Sequence, residues 1–425
     1  MILWLAIVFL VFVVLTVPIG FAMGGASVAA LLTTGKLPLM LVPQRMLTGV
    51  DSFPLLAILL FMLAGSLMDT GGISLRLVNL AKALVGHIRG GLGMVVVVGE
   101  IFFSGISGST AADVSAIGSL LIPTMNKAGY RPPTTVAIVS AASAMGILVP
   151  PCILMVVLGT MVNLSIGTLF ISGFLPAFVL AAALLILVYY QALREGLPSE
   201  GRHSLSALIK AVREAILPML FPAIIFGGIL GGIFTATEAA AVAVAYALAI
   251  GVFVYREITW NKFFKALVET AISTALVVFL VGTASIFAWI LGSEQVPQLL
   301  GTALLAISPS PVFFLLLSDL IFVIFGSFLE GMPALIILVP IMFPIAASFG
   351  VDPLHYSILV VAAIGIGLFL PPMGLGVYIA SRIADVDVRE AARALLPYLA
   401  VLFLALLVIT YIPWFTLVVP RLLKL

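Results

Sequence analysis

Apolar runs of membrane-crossing length follow one another along almost the whole chain, separated by short breaks rich in Gly, Pro and charge. About twenty apolar residues in a helix match the hydrocarbon thickness of a bilayer. The pattern predicts helical segments near 2–16, 18–34, 54–70, 91–126, 133–160, 173–193, 216–233, 235–254, 270–291, 312–347, 356–381 and 395–419. A hydrophilic stretch at 194–214, carrying Arg194, Glu195, Glu200, Arg202, Lys210 and Arg213, reads as a connector between residues 1–193 and 215–425.

The two halves repeat. A single constant offset aligns Gly71 with Gly292, Gly105 with Gly326, Pro123 with Pro344 and Gly146 with Gly367. The same offset aligns Pro150-Pro151 with Pro371-Pro372, and Pro176 with Pro397. Gapless self-similarity over this length points to an internal repeat of the transporter kind. Basic residues accumulate in cytoplasmic loops. Arg76, Lys82 and Arg89 fill the loop 72–90, whereas its counterpart 293–311 carries Glu294, and Lys127 and Arg131 align with Ser348 and Asp352. The opposite bias predicts repeats inverted in the membrane. Inversion requires 91–126 and 312–347 to enter and leave on one side, as re-entrant helical hairpins turning at Ser104–Ser109 and Phe325–Gly331, which leaves five crossings in each half.

Composition narrows the function. Hydrophobic residues make up 63% of the chain and charged ones 8%, against about 25% charged in soluble proteins, so the expectation is an all-α polytopic membrane protein. With 19 basic and 17 acidic residues the chain has no basic footprint for nucleic acid. One cysteine and three scattered histidines (His87, His203, His355) supply neither a disulfide framework nor a metal-binding spacing. No Walker-type phosphate loop is present, nor any Ser-Lys, paired-Asp or HExxH set for intramembrane hydrolysis, so neither ATP hydrolysis nor an enzyme is expected. The N-terminus lacks a basic region and a cleavage site and is read as a retained helix.

The chemistry is expected where Pro-Pro interrupts 133–160 and 356–381. A proline has no amide hydrogen and clashes with the carbonyl four residues back, so Pro150 frees Gly146 and Pro371 frees Gly367. A hairpin tip is the natural neighbour of each break. Oxygen cages follow from Gly105 with Gly146, Val149 and Cys152, and from Gly326 with Gly367, Leu370 and Met373. Neutral oxygen ligands suit a monovalent hard cation, sodium first. Ionisable residues in apolar segments are costly and mark function. Asp113 and Glu330 lie at the hairpin tips, Glu238 fits a helix N-terminus, Asp319 lies near the outer surface, and His87 and His355 read as surface residues.

The motifs SGISGSTAAD (104–113), LVPPCI (148–153), GIFTATEAAA (232–241), GSFLEGMPA (326–334) and GIGLFLPPMGLGVY (365–378) resemble the large membrane subunit of the TRAP (tripartite ATP-independent periplasmic) transporters, in the ion transporter superfamily. The resemblance spans essentially the whole chain. It implies a bacterial inner-membrane, sodium-coupled importer of organic acid anions, fed by a periplasmic substrate-binding protein. It also implies an elevator mechanism and a small four-helix membrane subunit as partner. Substrates in the family include C4-dicarboxylates, sialic acid and sulfonates. Donors for such an anion are Ser107, Ser109, Thr110 and Ser327, with Asp113 and Glu330 beside them. Cys152 departs from the small hydroxyl residue common there. The alternatives are a channel, or an anion symporter or sodium/proton exchanger of the same superfamily that works without a binding protein.

Overall fold

The computed structural model describes residues 1–35, 37–197, 199, 205–371 and 374–423, and not the side chains of Thr34, Ser107 and Leu205. Among the described residues all regular structure is helical. The first half comprises α1 (Ile2–Val14), α2 (Ile19–Thr34), α3 (Leu41–Val50), α4 (Leu56–Thr70), α5 (Ile73–Val85), α6 (Gly91–Ser107), α7 (Thr110–Lys127), α8 (Pro132–Gly146), α9 (Ile153–Val162) and α10 (Ile166–Glu195). The second comprises α11 (Leu205–Leu230), α12 (Ala236–Ala249), α13 (Trp260–Ser293), α14 (Val296–Ile307), α15 (Pro311–Phe328), α16 (Gly331–Ser348), α17 (Pro353–Gly367), α18 (Leu375–Ala384), α19 (Val388–Tyr411) and α20 (Trp414–Leu422).

The helices keep the register of the sequence repeat. Shifting α7 and α8 by the offset that separates Gly105 from Gly326 gives the bounds of α16 and α17, and α6 and α9 fall within one residue of α15 and α18. The halves differ where local chemistry differs. Asp51-Ser52-Phe53-Pro54 separates α3 from α4, whereas the corresponding stretch of the second half runs uninterrupted through the 34 residues of α13. Pro413 instead splits α19 from α20, where the first half has the continuous α10.

Two elements depart from the hydropathy reading. Residues 72–90, read as a loop, contain α5, and 293–311 contain α14. In α5 the apolar face Ile73, Leu77, Leu80 and Ala81 is buried while Arg76 and Lys82 are less so. This helical spacing folds an amphipathic segment that its charges conceal from a search for uniform apolar runs. The connector also shortens, because helix α11 begins at Leu205 and takes in Lys210 and Arg213.

Eight helices among the described residues are long and apolar enough to cross a membrane. Large apolar side chains stay exposed in stripes, as with Leu396, Leu404 and Val408 on α19, an arrangement suited to lipid rather than water. The hairpin α6–α7 packs on α8, and α15–α16 on α17, while the second half of each broken helix crosses over, α9 lying on α16 and α18 on α7. Hairpins and broken helices thus form one packed body. The long α13 runs beside it, against α2, α3, α4 and α16.

The opposite charge bias predicts 194–214 and 382–393 on the cytoplasmic side and 293–311 outside. Single cysteines at Ser199 and Ser308 in a Cys152→Ala background are expected to react with an impermeant thiol reagent from opposite faces. Labelling of both from one face would contradict inverted repeats.

Candidate functional site

Each hairpin turns through a two-residue break. Gly108 takes the left-handed conformation that ends α6 (φ +63°), and extended Ser109 starts α7. Leu329 and Glu330 do the same between α15 and α16, both without the left-handed residue. The tips rest against the breaks of the Pro-Pro helices. A Cβ placed on Gly105 would lie 3.2 Å from the Pro150 carbonyl oxygen, and one on Gly108 would lie 3.1 Å from that of Pro151. In the second half a Cβ on Gly326 would lie 3.0 Å from the Ile364 carbonyl oxygen and 3.3 Å from Gly367 Cα. Backbone approaches backbone because glycine has no side chain to hold it off.

The expected pairings of Gly105 with Val149 and of Gly326 with Gly367 are therefore present as contacts. The carbonyls behave differently from the simple expectation. That of Gly146 accepts a hydrogen bond from the Val149 amide at 2.8 Å, and that of Gly367 accepts one from Leu370 at 2.9 Å. The chain tightens by a three-residue turn past each break, so neither oxygen is orphaned; each keeps one lone pair for a further partner. The Leu370 carbonyl accepts from Ser327 Oγ at 2.8 Å. Met373 and the Ser107 side chain lie outside the described residues.

Between the tips, the breaks and α13 lies a cavity of about 270 Å³. Its walls carry Ser104, Ser109, Thr110, Asp113, Gly146, Val149, Cys152 and Glu330, and the opposite side is Met62 with Ser273, Leu276, Val277 and Leu280 of α13. These last residues stand at the middle of a 34-residue helix, which puts tips and breaks at mid-depth. Four helices begin at this cavity: α7 at Thr110, α9 at Ile153, α16 at Gly331 and α18 at Leu375. Their N-terminal amides and dipoles present positive ends to it, beside the carbonyl ends of α6, α8 and α17 at Gly108, Gly146 and Leu368. No Lys, Arg or His lines it among the described residues.

The structure thus brings Ser109, Thr110, Asp113 and Glu330 to one cavity with Gly146, Val149 and Cys152. It does not bring Ser327, whose hydroxyl ties the second tip to its own break, nor Gly105, Gly326, Gly367 and Leu370, which lie in the packing behind the wall. Glu238 stands apart in a capping box with Thr235 at the start of α12.

Three side chains depart from the sequence reading. His355 is buried, its Nδ1 2.8 Å from Thr416 Oγ1 and its Nε2 3.1 Å from the Thr410 carbonyl, because α17 starts beneath the junction of α19 and α20. Asp319 is also interior and accepts from Thr410 Oγ1 at 2.8 Å. Glu100, which the sequence reading passed over, is fully buried on α6 behind Ser104. Its signal was legible, as a carboxylate within the apolar run Gly91–Phe103.

The sequence matches the family described as "Tripartite ATP-independent periplasmic transporter, DctM component" over residues 6–415. The chain belongs to this family. It is 38% identical to the sialic acid TRAP transporter large permease protein SiaM of Vibrio cholerae, over 95% of each chain. It is 37% identical to the C4-dicarboxylate large permease protein DctM of Pseudomonas aeruginosa, over 87% of each. It is 39% identical to the isethionate permease protein DctMQ of Oleidesulfovibrio alaskensis, over 95% of this chain and 64% of that one. The fold is similar to the crystal structure of the Alcanivorax borkumensis YdaH transporter, with a TM-score of 0.64 and 16% identity over 87% of each chain. This DctM component is accordingly a multi-pass bacterial inner-membrane transporter subunit and not an enzyme.

Proposed function

We propose that this DctM component imports an organic acid anion together with sodium, receiving it from a periplasmic substrate-binding protein and working beside a small membrane subunit. The relatives named for sialic acid, C4-dicarboxylates and isethionate supply the substrate class, an acid with a carboxylate or sulfonate group. The observation that carries the reading is the convergence of four helix N-termini on one mid-depth cavity. Such ends favour anions. The same cavity holds Asp113 and Glu330 and no basic side chain among the described residues, so an anion entering it needs accompanying cations. Sodium at the two tip-and-break contacts would supply them, using the remaining lone pairs of Gly146 and Gly367 with neighbouring backbone oxygens.

The packing supports an elevator. Hairpins and broken helices interlock, whereas the facing wall of α13 is mostly aliphatic, with Leu276, Val277 and Leu280, and offers few polar bonds to break when the body slides. Proteoliposomes containing this chain and its small subunit are expected to accumulate labelled organic acid only with both the binding protein and an inward sodium gradient. Equal uptake without the binding protein would support a stand-alone symporter instead, and uptake indifferent to sodium would remove the cation sites.

A further inference from the structure

The first hairpin contains a buried polar set that the second lacks. Glu100 on α6 is 0% exposed, and Ser104, Asp113 and Ser143 are at most 1% exposed. Ser143 Oγ on α8 donates to Glu100 Oε1. Ser104 Oγ stands 3.2 Å from Glu100 Oε2 and 2.7 Å from Asp113 Oδ2 on α7. At the positions that the repeat aligns with Glu100, Ser104, Asp113 and Ser143, the chain has Ile321, Phe325, Ala334 and Ile364. The second hairpin closes on its broken helix with apolar side chains at these four positions and places its hydroxyl contacts elsewhere, Ser318 with Tyr356 and Ser327 with the Leu370 carbonyl, so the shared frame does not require polar groups here.

Counting protons decides how the set is arranged. Three oxygen–oxygen contacts need three protons, and the two serine hydroxyls supply two. A proton on a carboxyl would fill the third; without it two carboxylates would share the single Ser104 hydroxyl proton. Asp113 lies in the first turn of α7 and lines the cavity, where a helix N-terminus favours the ionised form. Glu100 stands off the cavity, is bonded only by the two serines and faces the Asp113 carboxylate; no Lys, Arg or His among the described residues bonds to it. An ionised carboxylate in such a place would be uncompensated.

We propose that Glu100 is a neutral, proton-bearing positioning residue that seats the first hairpin tip on Gly146. Its Oε2–H donates to Ser104 Oγ, Ser104 donates to Asp113 Oδ2, and Ser143 donates to Glu100 Oε1, so every proton has an acceptor. Ser104 is the group that meets Gly146, where an added Cβ would overlap its hydroxyl. Glu100 thereby acts on the cavity wall through Ser104. The uptake readout below rests on the proposed function, whereas the spectroscopic one does not.

Infrared difference spectra of the lipid-reconstituted chain at neutral pH, wild type minus Glu100→Gln, are expected to show the carbonyl band of a protonated carboxylic acid. The same band is expected to persist in Asp113→Asn. Absence of the band from the wild type, or its survival in Glu100→Gln, overturns the proposal whatever the transport result. In reconstituted uptake, Glu100→Gln is expected to remain within about twofold of wild type with its sodium dependence unchanged, and Glu100→Ala to fall about tenfold. Loss of uptake in the folded Gln variant would show that the charge itself works, as a proton exchanger requires, and would also overturn the proposal. If Glu100→Ala does not fold, the Gln variant and the spectra decide alone.

Discussion

Gly367→Ala is expected to abolish uptake, the largest effect foreseen for a single methyl group in this protein. The new Cβ would overlap the Val323 carbonyl oxygen and stand 3.0 Å from Gly326 Cα. Both are backbone atoms of the facing hairpin arm, and neither can rotate aside. Relief requires moving α15 away from α17, which opens the second tip-and-break contact and costs about 1–3 kcal/mol of stability on the scale of overpacked cores. Thermal unfolding together with sodium-driven uptake measures both consequences. Gly227→Ala on α11, where an added Cβ meets nothing within 4 Å, is the matched control and is expected to be silent. Wild-type uptake by Gly367→Ala would mean that this contact is not kept during transport. Gly146→Ala is expected to be milder, because its first obstacle is the Ser104 hydroxyl, a side-chain end that can turn at the expense of its bond to Asp113.

Asp113→Ala is expected to raise the sodium concentration for half-maximal uptake about tenfold, equivalent to about 1.4 kcal/mol of binding. Asp113 is buried at the cavity wall, its Oδ2 would lie 3.5 Å from a Cβ on Gly146, and it receives the Ser104 hydroxyl. Removing it takes away a negative charge beside the proposed cation and leaves Ser104 to reorient. Asp113→Asn retains an acceptor without the charge and is expected to fall between. An unchanged sodium dependence in Asp113→Ala would restrict the residue to holding the hairpin arms together.

The hairpins and broken helices were readable in the sequence because their causes are local. Gly108 ends α6 by taking a left-handed backbone, and Pro-Pro removes amide donors wherever it occurs. The register of the repeat survived folding for the same reason, since Gly and Pro punctuate both halves at matching places. Helix α5 escapes a search for unbroken apolar runs because Arg76 and Lys82 interrupt it, and α14 escapes because its 12 uncharged residues are too few to cross a bilayer. His355 was misplaced because burial depends on what packs over the start of α17, and that cover, the α19–α20 junction, lies far along the chain at Thr410 and Thr416.

The site divides along the same line. That Gly105, Gly146, Gly326 and Gly367 belong to close contacts followed from residue type, as did the polar character of both tips. Which oxygens are already engaged did not, because the Val149 and Leu370 amides and the Ser327 hydroxyl reach their acceptors only once each chain break has closed. The sequence by itself determined the membrane-embedded all-helical class, the repeat and the points where helices must stop, since these follow from transfer of apolar side chains out of water and from the covalent limits of Gly and Pro. Only the tertiary structure decided that four helix starts face one cavity, that Ser327 turns away from it and that Glu100 stands behind it, because electrostatics and hydrogen bonding depend on distances between residues the chain order keeps apart.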